Sequence, residues 1–277
     1  MTLLTIRQEL NRLGIPPLKR FGQHFLMDAQ VRHMMITAAK LTLKDRILEI
    51  GPGLGFLTTE LVKRAGAVLA VEKDQTLASN LADRFSKVQN LTVIEGDALK
   101  VGGLGCSKLV TSPPYNISSD LILFIINNRF TLAVLLLQDE FVQRLTAKSG
   151  TREYGRLTVT LQATSKVEII KKVSRSAFYP SPRVDSAIVT IKPRTDPLIV
   201  KDQTEFEDLV RSIFTQRRRK LTGPLKKYLE RKHPDRVSMM LPHLTVHEKR
   251  VFQMSPEELV DLSNQITGTL EETVNDD

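Results

Sequence analysis

Ser112-Pro113-Pro114-Tyr115 follows directly on the apolar run 108–111. The run reads as a buried strand, and two prolines with no N–H to donate end its ladder pairing. A hydroxyl, two stiff rings and an aromatic are thus pinned at the carboxyl end of a strand, where open α/β sheets place their chemistry. A Ser/Asn/Asp-Pro-Pro-Tyr/Phe tetrad suits methylation of an exocyclic amine. The N6 lone pair of adenine is delocalised into the ring, so the nitrogen is a poor nucleophile. Acceptors set against its two hydrogens, the Ser112 hydroxyl and the Pro113 carbonyl, favour a tetrahedral nitrogen and free the lone pair. Tyr115 offers a face on which the ring can stack. Taken alone, four residues are better read as a Pro-Pro turn with an incidental tyrosine, so the chemistry depends on what else the chain supplies.

Residues 46–50 read as a strand, Glu49-Ile-Gly-Pro-Gly-Leu-Gly55 follows at once, and 58–62 begins a helix. Strand, glycine turn and helix open a nucleotide-binding βαβ unit. A dinucleotide fingerprint needs glycine at the first, third and sixth positions. Counted from Gly51 the sixth is Phe56, and the third glycine comes one place early at Gly55. Gly-x-Gly-x-Gly is more often a bed for S-adenosylmethionine, with Gly51 and Gly53 letting backbone lie against the ligand. The next strand, 67–71, ends in Glu72, about 20 positions beyond the first glycine, where one carboxylate holds a ribose diol. A third strand, 91–94, runs into Asp97, placed to accept from the cofactor's adenine amino group. Each acid taken singly is an ordinary solvated strand end. Three successive strands delivering such loops, and a fourth delivering Ser112 to Tyr115, make a site.

A chain of 277 residues predicts two domains, or one large α/β domain with an appendage. The net charge of +9 points to a polyanionic partner, most simply nucleic acid. Cys106 is the single cysteine, which excludes a disulfide framework and a cysteine-based zinc site. His243 and His247 lack the glutamate of a metalloprotease helix, so no metal is expected. The apolar runs 121–126 and 132–137 are too short to span a bilayer, and the amino terminus has no signal-peptide core. A cytoplasmic, monomeric protein without membrane attachment fits these features.

The elements that must position the site are read as follows. Residues 1–20, ending in Pro16-Pro17-Leu-Lys-Arg20, form a basic extended lead-in. Asp28 caps a helix whose apolar face recurs at Val31, Met34, Met35 and Ala38. Phe25 and Leu26 read as packing residues, and the polar Gln23 and His24 between apolar neighbours allow a ligand contact. Beyond the tetrad come a helix at 121–126, a strand at 132–137 and a helix at 139–147. A polar loop at 149–155 offers Arg152, Tyr154 and Arg156 to nucleic acid. Stretches 157–163 and 167–170 resume the core. The proline-punctuated segment 176–184 presents Phe178 and Tyr179 as stacking faces or as loop anchors. A closing strand, 187–191, leads to a boundary at 193–197, and the rest is helical, with the last helix opening at Ser255-Pro256. Gln216-Arg-Arg-Arg-Lys220 and the lysines and arginines at 226–232 suggest an RNA-facing surface, and the tail 271–277 reads as disordered.

These residues resemble the rRNA adenine dimethyltransferases, which form N6,N6-dimethyladenosine on two adjacent adenines near the 3′ end of small-subunit rRNA. The resemblance runs from about Lys19 to Lys220. It rests on Phe21-Gly-Gln-His-Phe-Leu26, Glu49-Ile-Gly-Pro-Gly53, Gly96-Asp97-Ala98, Pro114-Tyr-Asn-Ile-Ser118, Tyr154-Gly-Arg-Leu157, Ser176-Ala-Phe178 with 180–186, and Gln216-Arg-Arg218. It implies a Rossmann-like, S-adenosylmethionine-dependent α/β domain over 1–195, with a seven-stranded sheet and helices on both faces. A small all-α domain over 196–277 would help dock on the pre-small ribosomal subunit. It further implies that Gln23, His24 and Leu26 line the cofactor entrance, Gly51 and Gly53 approach the methionine portion, Glu72 takes the ribose and Asp97 the adenine. Ser112, Pro113, Pro114 and Tyr115 would hold the target amine and Phe178 would stack on the base. The family usually has Asn-Leu-Pro-Tyr where this chain has Ser112 to Tyr115; serine is shorter, so the base sits nearer or a water intervenes. His24 stands where asparagine is common. Two other readings remain open. One is a large-subunit methylase of the erythromycin-resistance type, against which Gln216-Arg-Arg218 and Tyr154 to Leu157 argue. The other is a non-catalytic assembly factor, for which Ser112 is the only hint.

Overall fold

The computed structural model describes residues 3–14, 23–128, 130–245 and 248–274. The basic stretch 16–20, Phe21 and Gly22 of the amino-terminal motif, and His247 lie outside them. The chain divides into two compact units, residues 1–142 with 166–193 and residues 143–165 with 194–277.

The first unit begins with α1 (Leu3–Arg12), β1 (Phe25–Leu26) and α2 (Ala29–Ala39). Strands and helices then alternate through β2 (Arg46–Ile50), α3 (Phe56–Leu61), β3 (Ala67–Glu72), α4 (Gln75–Arg84), β4 (Leu91–Glu95) and α5 (Ala98–Val101). β5 (Lys108–Thr111), α6 (Ser118–Asn127) and β6 (Leu132–Gln138) follow. α7 (Asp139–Leu145) leads into the second unit, which holds α8 (Arg156–Thr164), and the strands β7 (Ser165–Val173), β8 (Phe178–Tyr179) and β9 (Ser186–Pro193) complete the first. Helices α9 (Gln203–Ile213), α10 (Thr222–Lys232), α11 (Val237–Met240) and α12 (Pro256–Val274) follow in the second.

The main sheet has seven strands in the order β4-β3-β2-β5-β6-β9-β7. The five from β4 to β6 are parallel and β9 is antiparallel to β6. Parallel strands are buried on both faces and read as near-continuous apolar runs, which is what β2, β5 and β6 show. Ile47, Val110, Val134 and Leu136 pack with residues of α2 and α3. The alternate set, Leu48, Leu109, Leu135 and Leu137, is equally buried, so the sheet is covered on both sides. The strand order reverses between β2 and β5, and such a switch point leaves a crevice outside the carboxyl ends. Asp28 caps α2 by accepting from the N–H groups of Gln30 (2.7 Å) and Val31 (3.1 Å), as its position in the sequence predicts.

Five expectations are corrected. Residues 3–12 of the lead-in are helical, not extended: Ile6 and Leu10 lie one turn apart and bury against Phe25, Leu54 and Leu77. Residues 167–170 are not core, because β7 is an edge strand with one neighbour, leaving Ile169 and Ile170 about 40% exposed. Residues 143–165 pack within the second unit, where Tyr154, Val159 and Ala163 share a core with Phe206, Leu209 and Leu225. The helical unit therefore starts inside 1–195 and is not confined to 196–277. Tyr154, fully buried there, has no face for nucleic acid, whereas Arg152 and Arg156 are exposed. Finally, α12 carries helix to Val274, through most of the tail expected to be disordered. Among the described residues no helix is long and apolar enough to cross a membrane.

Gly55 illustrates how tightly the first turn of α3 is packed. Its φ is +73°, and an added Cβ would run into Leu81 and sit 3.0 Å from Phe85. Gly55→Ala is expected to destabilise the fold by roughly 2–4 kcal/mol through backbone strain and overpacking, read as a lower urea midpoint at unchanged slope.

Candidate active site

The carboxyl ends of β2, β3, β4 and β5 open onto one cavity of about 260 Å3. All twelve residues singled out from sequence line it: Gln23, His24, Leu26, Gly51, Gly53, Glu72, Asp97, Ser112, Pro113, Pro114, Tyr115 and Phe178.

The glycine loop is held from below. Gly51 N–H donates to the Val71 carbonyl (2.9 Å), Gly53 N–H to Glu72 Oε2 (2.9 Å) and Asp74 N–H to Glu72 Oε1 (3.0 Å). Gly51 and Gly53 have φ of +66° and +59°, and a Cβ on either would come 3.2 Å from Pro114 or Phe25. Glycine alone lets the backbone form the cavity floor here. Burial raises the Glu72 carboxyl above its ordinary value, while the backbone N–H groups of Asp74, Gly53 and Lys73 oppose the rise. Asp97 accepts from Leu99 N–H (3.2 Å), and its hydrogen bond with Lys73 Nζ (3.0 Å) keeps its carboxyl below the usual range.

The opposite wall depends on a contact between distant segments. β1 pairs antiparallel with β8, setting Phe25 opposite Tyr179 and Leu26 opposite Phe178. This brings residues 23–26 beside the tetrad. The His24 ring stacks on Tyr115 with centroids 5.6 Å apart, and its Nδ1–H donates to the Pro180 carbonyl (2.7 Å). Phe178 stands edge-on to Tyr115 at 6.4 Å and is only 2% exposed. Tyr179 is not part of the lining; its ring carries the Arg7 guanidinium at 5.2 Å, which makes it a packing anchor and not a base platform. The Tyr115 hydroxyl shares a 2.8 Å hydrogen bond with buried Ser186. The Ser112 hydroxyl makes no hydrogen bond among the described residues and is free to accept.

Two contributors carried no assigned role in the sequence reading. Ser186 was visible only as the end of the 180–186 motif, and nothing local linked it to Tyr115. Glu49 was visible as the acid just before the glycine loop. It is 1% exposed, and its Oε2 has no hydrogen-bond partner. Burial pushes its carboxyl up to about 8; neighbouring Thr58 opposes the rise and the Glu72 charge adds to it. A buried acid with one unpaired oxygen, a positive-φ glycine floor and a buried carboxylate at the end of β3 together suit a ligand with a cationic group, a flat body and a diol. No group of histidines, cysteines and acids that could hold a metal occurs among the described residues.

Known proteins are similar over most of the chain. The family described as "Ribosomal RNA adenine dimethylase" matches residues 18–267. A "Probable ribosomal RNA small subunit methyltransferase A" of Methanosarcina acetivorans is 41% identical over 264 residues, covering 94% of this chain and 97% of the relative. Among solved structures, a dimethyladenosine transferase from Plasmodium falciparum is 30% identical with a TM-score of 0.80, covering 89% of this chain and 98% of the other. The 23S rRNA methyltransferase ErmE is 30% identical with a TM-score of 0.66, covering 88% and 99%. A seven-stranded sheet of this order, a cleft at its switch point and a match over nearly the whole chain lead to one assignment: this protein belongs to the ribosomal RNA adenine dimethylase family.

Proposed function

We propose that the protein uses S-adenosylmethionine to dimethylate N6 of two adjacent adenosines near the 3′ end of small-subunit rRNA, acting as a cytoplasmic monomer on the pre-small ribosomal subunit. The observation that carries this reading is the single cavity shared by Gly51, Glu72 and Asp97 on one side and Ser112 to Tyr115 on the other. The cofactor would supply a methyl group already activated by its sulfonium, so no covalent enzyme intermediate is needed. Glu72 offers acceptors to the ribose diol, Asp97 to the adenine amine and Glu49 to the ammonium. The Ser112 hydroxyl and Pro113 carbonyl orient the target amine, and Tyr115, held by Ser186 and His24, offers its ring to the base, with Phe178 packed edge-on beside it. Catalysis is then positioning plus two acceptors.

Ser112→Ala removes one of those acceptors and no structural bond. Turnover is expected to fall by about 10- to 100-fold, with the dissociation constant for S-adenosylmethionine changing less than about threefold. Equal losses in both would show that Ser112 serves the cofactor instead.

The basic surface supports an RNA partner. Residues 217–221 and 249–252 run side by side, with Val251 N–H donating to the Arg219 carbonyl, Phe252 N–H to that of Arg217 and Leu221 N–H to that of Lys249. Arg218, Arg219, Lys220, Lys249 and Arg250 are thereby gathered, exposed, on the second unit. ErmE favours the large-subunit reading, but both its identity and its TM-score are below those of the small-subunit relative and the dimethyladenosine transferase respectively. Incubation with labelled cofactor and immature small or large subunits, followed by mass spectrometry of the modified nucleosides, tests the proposal. Dimethyladenosine in the small subunit is the expected product. Label in the large subunit alone, or none at all, would instead favour the methylase or the non-catalytic alternative.

A further inference from the structure

Arg32 is a buried cation to which none of the roles above applies. It stands on α2, is 9% exposed and lines the cavity. Its Nη1 donates to the carbonyls of Leu26 (3.0 Å) and Met27 (2.8 Å), while Nε and Nη2 have no partner among the described residues and are not sealed from solvent. The nearest carboxylates are engaged elsewhere. Asp28 caps α2, and Glu60 pairs with Arg64 and Lys63. The remaining neighbour is the Phe56 ring, 5.7 Å from the guanidinium carbon.

A buried charge whose carboxylates, Glu60 and Asp28, act only through space and not as ion pairs is costly, and such a charge is retained where a ligand completes it. The same cavity presents Glu49, a second buried group whose Oε2 is also unpartnered. One cation and one acid, both waiting for partners in one lining, match the two ends of an α-amino acid. We infer that Arg32 binds the α-carboxylate at the methionyl end of the cofactor, opposite the ammonium that Glu49 receives. The guanidinium fork suits this, because two N–H groups can meet two carboxylate oxygens while Nη1 stays on the backbone. The inference rests on the S-adenosylmethionine reading given above and adds a carboxylate-binding residue to it.

Calorimetric titration with S-adenosylhomocysteine and with its decarboxylated analogue tests it without turnover. The wild-type protein should bind the carboxylate-bearing ligand about 10- to 100-fold more tightly, the range expected for hydrogen bonds between charged partners. Arg32→Met should erase that preference, binding both ligands about as the wild type binds the analogue. Equal wild-type affinity for the two ligands overturns the inference. So does an Arg32→Met protein that weakens both alike, since Arg32 would then only anchor the Leu26 and Met27 carbonyls. If the methionine variant does not fold, Arg32→Lys should show a reduced preference, and an undiminished one counts against the role. A wild-type protein that binds neither ligand removes the cofactor reading itself, an outcome distinct from the others.

Discussion

Glu72→Ala is expected to raise the dissociation constant for S-adenosylmethionine by about 100-fold or more, from the loss of two hydroxyl-to-carboxylate hydrogen bonds at roughly 1.5–3 kcal/mol each. The structure adds a second reason. Both carboxylate oxygens already accept from backbone, one from Gly53 and one from Asp74, so the side chain also ties the glycine loop to the end of β3. Removing it takes away the ribose acceptor and loosens the loop that forms the cavity floor. Glu72→Gln keeps one acceptor oxygen and should lose less affinity than alanine. Calorimetry on both variants, with thermal unfolding as a control for folding, checks the order. A variant with normal affinity and collapsed turnover would assign Glu72 to the chemical step.

Glu49→Gln should stabilise the ligand-free protein, and the gain should grow with pH. The unfolded carboxyl titrates near 4.5 and the folded one near 8. Between those values the native state keeps a proton that the unfolded chain has lost, so native stability falls as pH rises through the window. Below the window nothing is lost, and above it the full penalty applies. Each unit of separation is worth about 1.4 kcal/mol, so the difference between wild type and variant should reach a few kcal/mol at pH about 8 and shrink toward pH about 5. Urea midpoints across that range measure it. Parallel curves for the two proteins would mean that the Glu49 carboxyl is solvated or paired. S-adenosylhomocysteine should flatten the wild-type curve, because an ammonium beside Glu49 favours its charged form.

Much of this site could be read from the chain because its elements are local. A strand, a glycine turn and an acid at the next strand end lie within a single βαβ unit, so Gly51, Gly53 and Glu72 are legible from spacing. Asp97 and Ser112 follow the same rule, each the polar residue at which an apolar strand stops. The helix at residues 3–12 is hard to read from the chain because Ile6 and Leu10 are a short apolar recurrence beside a conspicuous Pro16-Pro17. Tyr154 sits in a polar loop and so reads as exposed, yet the helices of the second unit close over it. Residues 143–165 join the core of the second unit although the chain on both sides of them belongs to the first, since contiguity in sequence says nothing about which core a segment joins.

From sequence alone follow the sheet class, the four loops at its strand ends, the basic charge and the family to which they point. These depend on short-range periodicity and on residue types that act within a few positions of one another. Tertiary structure decided what crosses long gaps: the pairing of residues 25–26 with 178–179, the Tyr115–Ser186 hydrogen bond, and the burial in one lining of Arg32, with only Nη1 bonded, and Glu49, with Oε2 unpaired. Whether a charged side chain is solvated or left unpaired in a cavity depends on every segment packed around it, and only the folded chain brings those segments together.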